Sequence, residues 1–149
     1  MIPMTIKRMD KTHKALVIKI GYESMATLKE KFYFRISLIF ESIFNFNVVL
    51  YNNTVVGFIS IVDSLRDDLV IGNIAVTSQY KQKGVASLLL NNVLSIYPNR
   101  QITLQVRQSN IAAQNLYTKF GFKKTNIIKN YYPNKGTLKK ESGVVMVRK

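Results

Sequence analysis

The chain has 149 residues, 47% of them hydrophobic, enough for one well-packed core and too few for two full domains. It contains no cysteine and one histidine, which excludes disulfides, thiolate metal sites and a cysteine nucleophile, so no metal site is expected. A net charge of +14 draws polyanions such as RNA, ribosomes or a phosphorylated cofactor and disfavours polycationic small substrates, although a general lysine bias would leave the same count on ordinary solvated faces.

Met1 to Asp10 holds Lys7, Arg8 and Asp10 in a short alternating pattern with no apolar leader core, so no secretory signal is expected. Thr5 to Met9 reads as a first strand. Lys11 to Ile20 and Ser24 to Phe44 then show helical spacing with few breakers and predict two successive helices, with His13 on the surface. The most apolar window, Phe32 to Tyr51, is interrupted by Arg35, Glu41, Asn45 and Asn47 and reads as a buried helix running into a strand, not a membrane span. A soluble, cytoplasmic protein is expected.

Val48 to Tyr51 and Thr54 to Val62 are β-branched runs joined by Asn52-Asn53, a dipeptide that tolerates the positive φ of a tight hairpin. Leu69 to Val76 follows the polar loop Asp63 to Asp68 and completes an antiparallel meander. Gly84 to Tyr97 carries a helical apolar stripe at Val85, Leu88, Leu89, Val93 and Leu94, with Pro98 beyond its end. Gln101 to Arg107 alternates as a strand. Ser109-Asn110 caps a helix over Ile111 to Phe120 that Gly121 stops. Phe122 to Lys129 and Gly143 to Arg148 are the last strands, joined by a turn-rich loop from Tyr132 to Ser142. No repeat or linker divides the chain, so residues 1–149 form a single domain: α/β (α+β), a mixed six- to seven-stranded sheet with about four flanking helices.

The most informative stretch is NIAVTSQYKQKGVASLLL, from Asn73 to Leu90, in which a strand ends at Val76 and a helix starts near Gly84. Unpaired amides at a helix start, together with the helix dipole, make an anion site that a pyrophosphate suits. Gly84 lets backbone approach a phosphate, Ala86 stays small, and Lys81 and Lys83 add charge. The same residues are compatible with an ordinary strand-to-helix turn in a basic protein.

This segment resembles motif A of the GNAT superfamily of N-acetyltransferases, whose pattern is Arg or Gln, two residues, Gly, one residue, then Gly or Ala; here Lys81, Gly84 and Ala86 hold those places. LQVRQSNIAAQNLYTKFGF, Leu104 to Phe122, resembles motif B, and NYYP, Asn130 to Pro133, is similar to the RimI-like branch, the ribosomal-protein-alanine N-acetyltransferases. The resemblance covers the C-terminal half well and residues 1–45 only in helical character.

The resemblance implies a GNAT fold with strands splayed at an acetyl-CoA site. It implies cofactor contacts from Ile74, Ala75, Val76, Lys81, Gln82, Lys83, Gly84, Val85, Ala86, Ser87 and Asn110. Tyr117 takes the place of a tyrosine that protonates the departing sulfur, while it also fits a plain aromatic stripe with Leu116 and Phe120. Gln105 stands where relatives carry a glutamate base; an amide orients an amine or water but accepts no proton. Tyr131 and Tyr132 resemble the aromatic pair at a peptide entrance and equally fit a strand-end aromatic cluster. The following KGTLKKESG, Lys135 to Gly143, retains only Glu141 where relatives have an acidic stretch.

The implied activity is acetyl transfer to a primary amine, foremost the N-terminal α-amine of a ribosomal or other protein, with possible ribosome association through the positive charge. A small-molecule amine is an alternative acceptor, and a catalytically weak acetyl-CoA- or RNA-binding module is a third reading, kept open by Gln105. Monomer and dimer are both compatible with the sequence, and no membrane partner is expected.

Overall fold

A computed structural model describes residues 3–25, 27–39, 44–63, 68–134 and 136–149, without the side chains of Leu28 and Phe32. Its strands are β1 (Thr5–Arg8), β2 (Phe44–Tyr51), β3 (Thr54–Asp63), β4 (Leu69–Val76), β5 (Ile102–Arg107), β6 (Lys123–Pro133) and β7 (Lys140–Arg148). Its helices are α1 (Lys14–Ser24), α2 (Leu28–Ile39), α3 (Val85–Ile96) and α4 (Ile111–Lys119). The seven strands form one sheet in the order β1-β2-β3-β4-β5-β7-β6, mixed as expected, in which only β4 and β5 run parallel.

The local signals explain most of these elements. Asn52 and Asn53 adopt φ of 50° and 59°, closing a two-residue hairpin between Tyr51 and Thr54. Asn110 caps α4 by accepting the Ala113 N–H at 3.1 Å. Gly121, at φ 85°, ends that helix in a Schellman closure: Phe122 N–H donates to Tyr117 C=O at 3.1 Å and Gly121 N–H to Thr118 C=O at 3.0 Å.

Four boundaries differ from expectation. The first helix lies later, at Lys14–Ser24, because Asp10 Oδ1 accepts the Thr12 N–H at 2.8 Å and so ties residues 10–12 into a polar turn. His13 belongs to that turn: its Nδ1 accepts from the Asp10 N–H, and its side chain is only 13% exposed, so it is not a free surface residue. The second helix stops by Ile39, and Phe44, expected as its last residue, already pairs with Val62 in β2; residues 40–43 lie outside the described residues. Finally, β6 runs on to Pro133 and β7 starts at Lys140, so much of the expected loop is strand. Proline is tolerated there because β6 is an edge strand, bulged between Ile128 and Tyr132 around Asn130 at φ 53°.

Helices cover both faces of the sheet. On one, Val17 and Ile20 of α1 and Phe34 and Leu38 of α2 pack on Phe46, Val48, Val55, Phe58 and Ala75. Gly21 is the close-approach point between these helices: a Cβ there would clash with the Phe34 ring. On the other face, Val85, Leu89, Leu90 and Val93 of α3 and Tyr117 of α4 join Ile59, Ile61, Leu69, Ile71 and Leu104. Leu89 and Leu90 are fully buried, contributing about 2 kcal/mol each through removal from water. Among the described residues no helix is long and apolar enough to cross a membrane.

Candidate active site

The site begins where β4 and β5 part. They pair through Leu69↔Ile102, Val70↔Thr103 and Ile71↔Leu104 and no further. Gly72 follows as an extra residue on β4: opposite β3 the register passes from Ile61↔Ile71 to Ser60↔Asn73. Such a bulge bends a strand and increases its twist. The bend carries Asn73–Val76 away from Gln105–Arg107, leaving the β5-facing edge of β4 without a strand partner among the described residues. Ile74, Ala75 and Val76 lie on this freed half, paired on the other side with Ile59, Phe58 and Gly57.

The chain then passes through a short 3-10 turn, Ser78–Tyr80, into α3. Gln82 and Gly84 both take the left-handed conformation, at φ 59° and 81°, and Lys81, Gln82, Lys83 and Gly84 are all exposed. A Cβ built on Gly84 has nothing within 4 Å, so the glycine borders open space rather than a packed neighbour. Leu88 N–H donates to Gly84 C=O at 2.9 Å, which leaves the amides of Val85, Ala86 and Ser87 pointing outward ahead of the first helical bond. Lys83 holds its ammonium 5.2 Å from the Tyr80 ring. The result is a basic, amide-rich cradle of the kind a pyrophosphate fills.

On the α1/α2 side of the sheet the splay opens into a cavity of about 790 Å3. Its walls include Ile74 of β4, Gln105 and Arg107 of β5, Asn110 and Tyr117 from the α4 region, and Tyr131 and Tyr132 of β6. Both expected catalytic positions and both expected entrance aromatics thus share one space. Tyr117 is 5% exposed, its backbone carbonyl fixed by Phe122 and its ring 5.9 Å from the Phe122 ring. Burial pushes its hydroxyl up to about 12, so it stays protonated across the working pH range. Gln105 is exposed to the cavity. Asn110 reaches the wall while its side-chain oxygen is engaged in capping α4.

Arg107 organises the far end. Its guanidinium donates to Glu30 Oε1 at 2.6 Å, Pro133 C=O at 3.0 Å, Glu141 Oε2 at 3.3 Å and Asn134 Oδ1 at 3.4 Å, and lies 4.6 Å from the Tyr132 ring centre. Tyr132 meets Tyr131 edge-on at 4.9 Å. Burial first, then Tyr131, pushes the Tyr132 phenol well above the ordinary tyrosine range. Glu141 is held below the ordinary carboxylate range, first by Ser109, whose N–H donates to Oε1 at 2.6 Å, and then by Arg107.

Glu30 and Arg107 were not among the expected site residues. Glu30 had a local signal: Thr27-x-x-Glu30 is a capping box, with Thr27 N–H donating to Glu30 Oε2 at 3.0 Å and Glu30 N–H to Thr27 Oγ1 at 3.3 Å. Its second oxygen is what reaches Arg107, a tertiary contact that no local spacing announces.

The sequence model of the acetyltransferase (GNAT) family matches residues 19–122. The chain belongs to this family. As a GNAT enzyme it is an acyltransferase, and the parted strands, outward amides, open Gly84 and flanking lysines fit the thioester arm and pyrophosphate of acetyl-CoA. A [ribosomal protein bS18]-alanine N-acetyltransferase of Haemophilus influenzae is 36% identical over 101 residues, 66% of this chain and 67% of that protein. An N-alpha-acetyltransferase of Saccharolobus solfataricus is 33% identical over 134 residues, 78% of each. The crystal structure of the ribosomal-protein-S18-alanine N-acetyltransferase from Escherichia coli superposes with a TM-score of 0.80 at 25% identity, over 98% of this chain and 93% of that one.

Proposed function

We propose that this GNAT enzyme transfers an acetyl group from acetyl-CoA to the N-terminal α-amine of a protein. The observation that carries the reading is the position of the acceptor cavity: it opens at the β4/β5 splay, on the Gln105 and Tyr117 side, and is framed by Tyr131 and Tyr132. Similarity to proteins named as N-terminal acetyltransferases supports the same reading.

Acetyl-CoA supplies a thioester, whose acyl carbon an amine attacks directly, with no covalent enzyme intermediate. The chain's own residues do the rest. The edge of β4 from Ile74 to Val76 offers backbone groups to the extended arm, and the amides from Gln82 to Ser87, with Lys81 and Lys83, hold the phosphates. As the new C–N bond forms and the C–S bond breaks, Tyr117, neutral and buried, donates its hydroxyl proton to the departing sulfur and is reprotonated by the proton that the nitrogen sheds on becoming an amide, so no net proton is gained or lost. Gln105 orients the amine through its side-chain oxygen and takes no proton. An α-amine tolerates that substitution, because its pKa near ~7.7 to 8.0 leaves part of it neutral before it binds, whereas a lysine ε-amine near ~10.4 is almost wholly charged. The high positive charge favours encounter with ribosomes, and the enzyme acts in the cytoplasm on nascent or completed ribosomal or other proteins.

The test is to incubate the enzyme with acetyl-CoA and peptides that begin with alanine and contain an internal lysine, locating the acetyl group by tandem mass spectrometry. Modification at the α-amine is expected. Transfer only to the lysine side chain, or only to a small amine such as spermidine, overturns the proposal.

A further inference from the structure

Among the described residues four charged side chains line the acceptor cavity: Lys29, Glu30, Arg107 and Lys140. The carboxylates of this region are already committed. Glu30 and Glu141 both turn to the Arg107 guanidinium, at 2.6 and 3.3 Å, and Glu141 also accepts from the Ser109 amide. The two lysines stand outside that network. Both are exposed, and among the described residues neither is in an ion pair. Lys29 belongs to α2, with its ammonium 5.9 Å from the Tyr33 ring centre, and Lys140 opens β7, so they approach the mouth from different elements. Lys140 also lines a second, more open concavity of about 530 Å3, together with Asn130, Leu138 and Lys139. The two cavities thus share Lys140, and Lys139 stands beside it in the second.

We propose that Lys29 and Lys140, with Lys139 beyond them, are specificity-determining residues that select acceptor N-termini carrying aspartate or glutamate at the second and third positions. This rests on the α-amine reading above. With the first residue held between Gln105 and Tyr117, the residues that follow leave through the mouth, where the spare charge is positive. An acidic side chain finds an ammonium without breaking any existing pair. Among the described residues of the wall a basic one meets like charge and carboxylates that already face Arg107, Glu30 and Glu141.

Steady-state acetylation of three peptides that differ only at positions two and three decides the matter: Ala-Asp-Glu, Ala-Gln-Gln and Ala-Arg-Arg leaders on one lysine-free body. The expected order of kcat/KM is acidic, neutral, basic, with about five- to tenfold between the extremes at low salt, shrinking as ionic strength rises. The double variant Lys29→Glu, Lys140→Glu should reverse the order of the acidic and basic peptides, an outcome that misfolding cannot produce. Equal rates for all three, or preference for the basic leader, overturn the selectivity while leaving α-amine transfer standing. No transfer to any peptide removes the α-amine reading and this inference with it.

Discussion

The carboxylate of Glu30 and the guanidinium of Arg107, 77 residues apart in the chain, meet at 2.6 Å and tie the start of α2 to the end of β5. The two side chains are 21% and 22% exposed, so the pair is largely removed from water. Because Arg107 also holds Pro133, Asn134 and Glu141, four stretches of chain depend on one guanidinium.

Replacing Arg107 by alanine leaves two carboxylates without their cation and should cost about 2 kcal/mol, seen as a fall in Tm of about 4–8 °C. Glu30→Gln keeps a hydrogen-bond acceptor and should cost less. The pH dependence has a definite sign. Glu141 is held below its ordinary value of 4.5 in the folded state, so its contribution is fully present above that value and is lost as the pH falls through the lower folded value. Acid unfolding of Glu141→Gln, followed by circular dichroism, should lack that part of the transition.

Tyr117→Phe should lower kcat about a hundredfold while leaving acetyl-CoA affinity within about twofold, as expected for loss of a proton donor. Isothermal titration alongside steady-state kinetics separates the two quantities. A large loss of acetyl-CoA binding would count against the acid role. The pH profile adds a second check: with the hydroxyl at about 12, Tyr117 causes no alkaline fall in rate below roughly pH 11. Because this value is raised, the associated stability is present below the unfolded tyrosine value of 10.0 and is lost as the pH rises towards 12.

Gln105→Glu restores a carboxylate at the position where an amine must lose its proton. At pH 7 only about a tenth of an α-amine is neutral, so the variant should raise kcat/KM there by about three- to tenfold. The advantage should vanish above about pH 8.5, where the amine deprotonates unaided. A pH-rate series on both proteins reads this directly, and identical profiles would argue that residue 105 does not contact the acceptor.

Gly84 and Gly121 form a natural control pair, both left-handed, at φ 81° and 85°. Alanine at either should cost about 1 kcal/mol in backbone strain. Gly84→Ala alone should weaken acetyl-CoA binding, by tenfold or more, because its Cβ would occupy the open space before α3, whereas Gly121 faces the Arg148 side chain. Equal affinities for the two variants would remove Gly84 from the phosphate cradle.

What could be read in advance were features set by a few neighbouring residues. Asn52-Asn53, Asn110 and Gly121 each determine a local backbone conformation, and each behaves as its chemistry requires. Lys81 to Ser87 needs only a strand end, a glycine and a helix start to make an anion cradle. The boundaries that moved depend on partners elsewhere. Phe44 closes an apolar helical pattern and becomes strand because β3 lies beside it. Tyr132 to Pro133 looks like a turn and remains strand because it pairs with β7, on the one side an edge strand has. Arg107 was visible within the Leu104 to Arg107 motif, but its importance comes from Glu30, Pro133 and Glu141, which only the folded chain gathers around it.

The three residue pairs that join β4 to β5 are also the whole of the direct seam between a four-strand half-sheet and a three-strand half-sheet. Mechanically it is a door on a short hinge, with the leaves spread on one side and zipped on the other. A molecule wedged between the leaves touches both halves at once, so its arrival stiffens the assembly across the gap, and the slowing of amide exchange should be greatest in β4 and β5 beyond Ile71 and Leu104 and least in β1 and β6 at the outer edges.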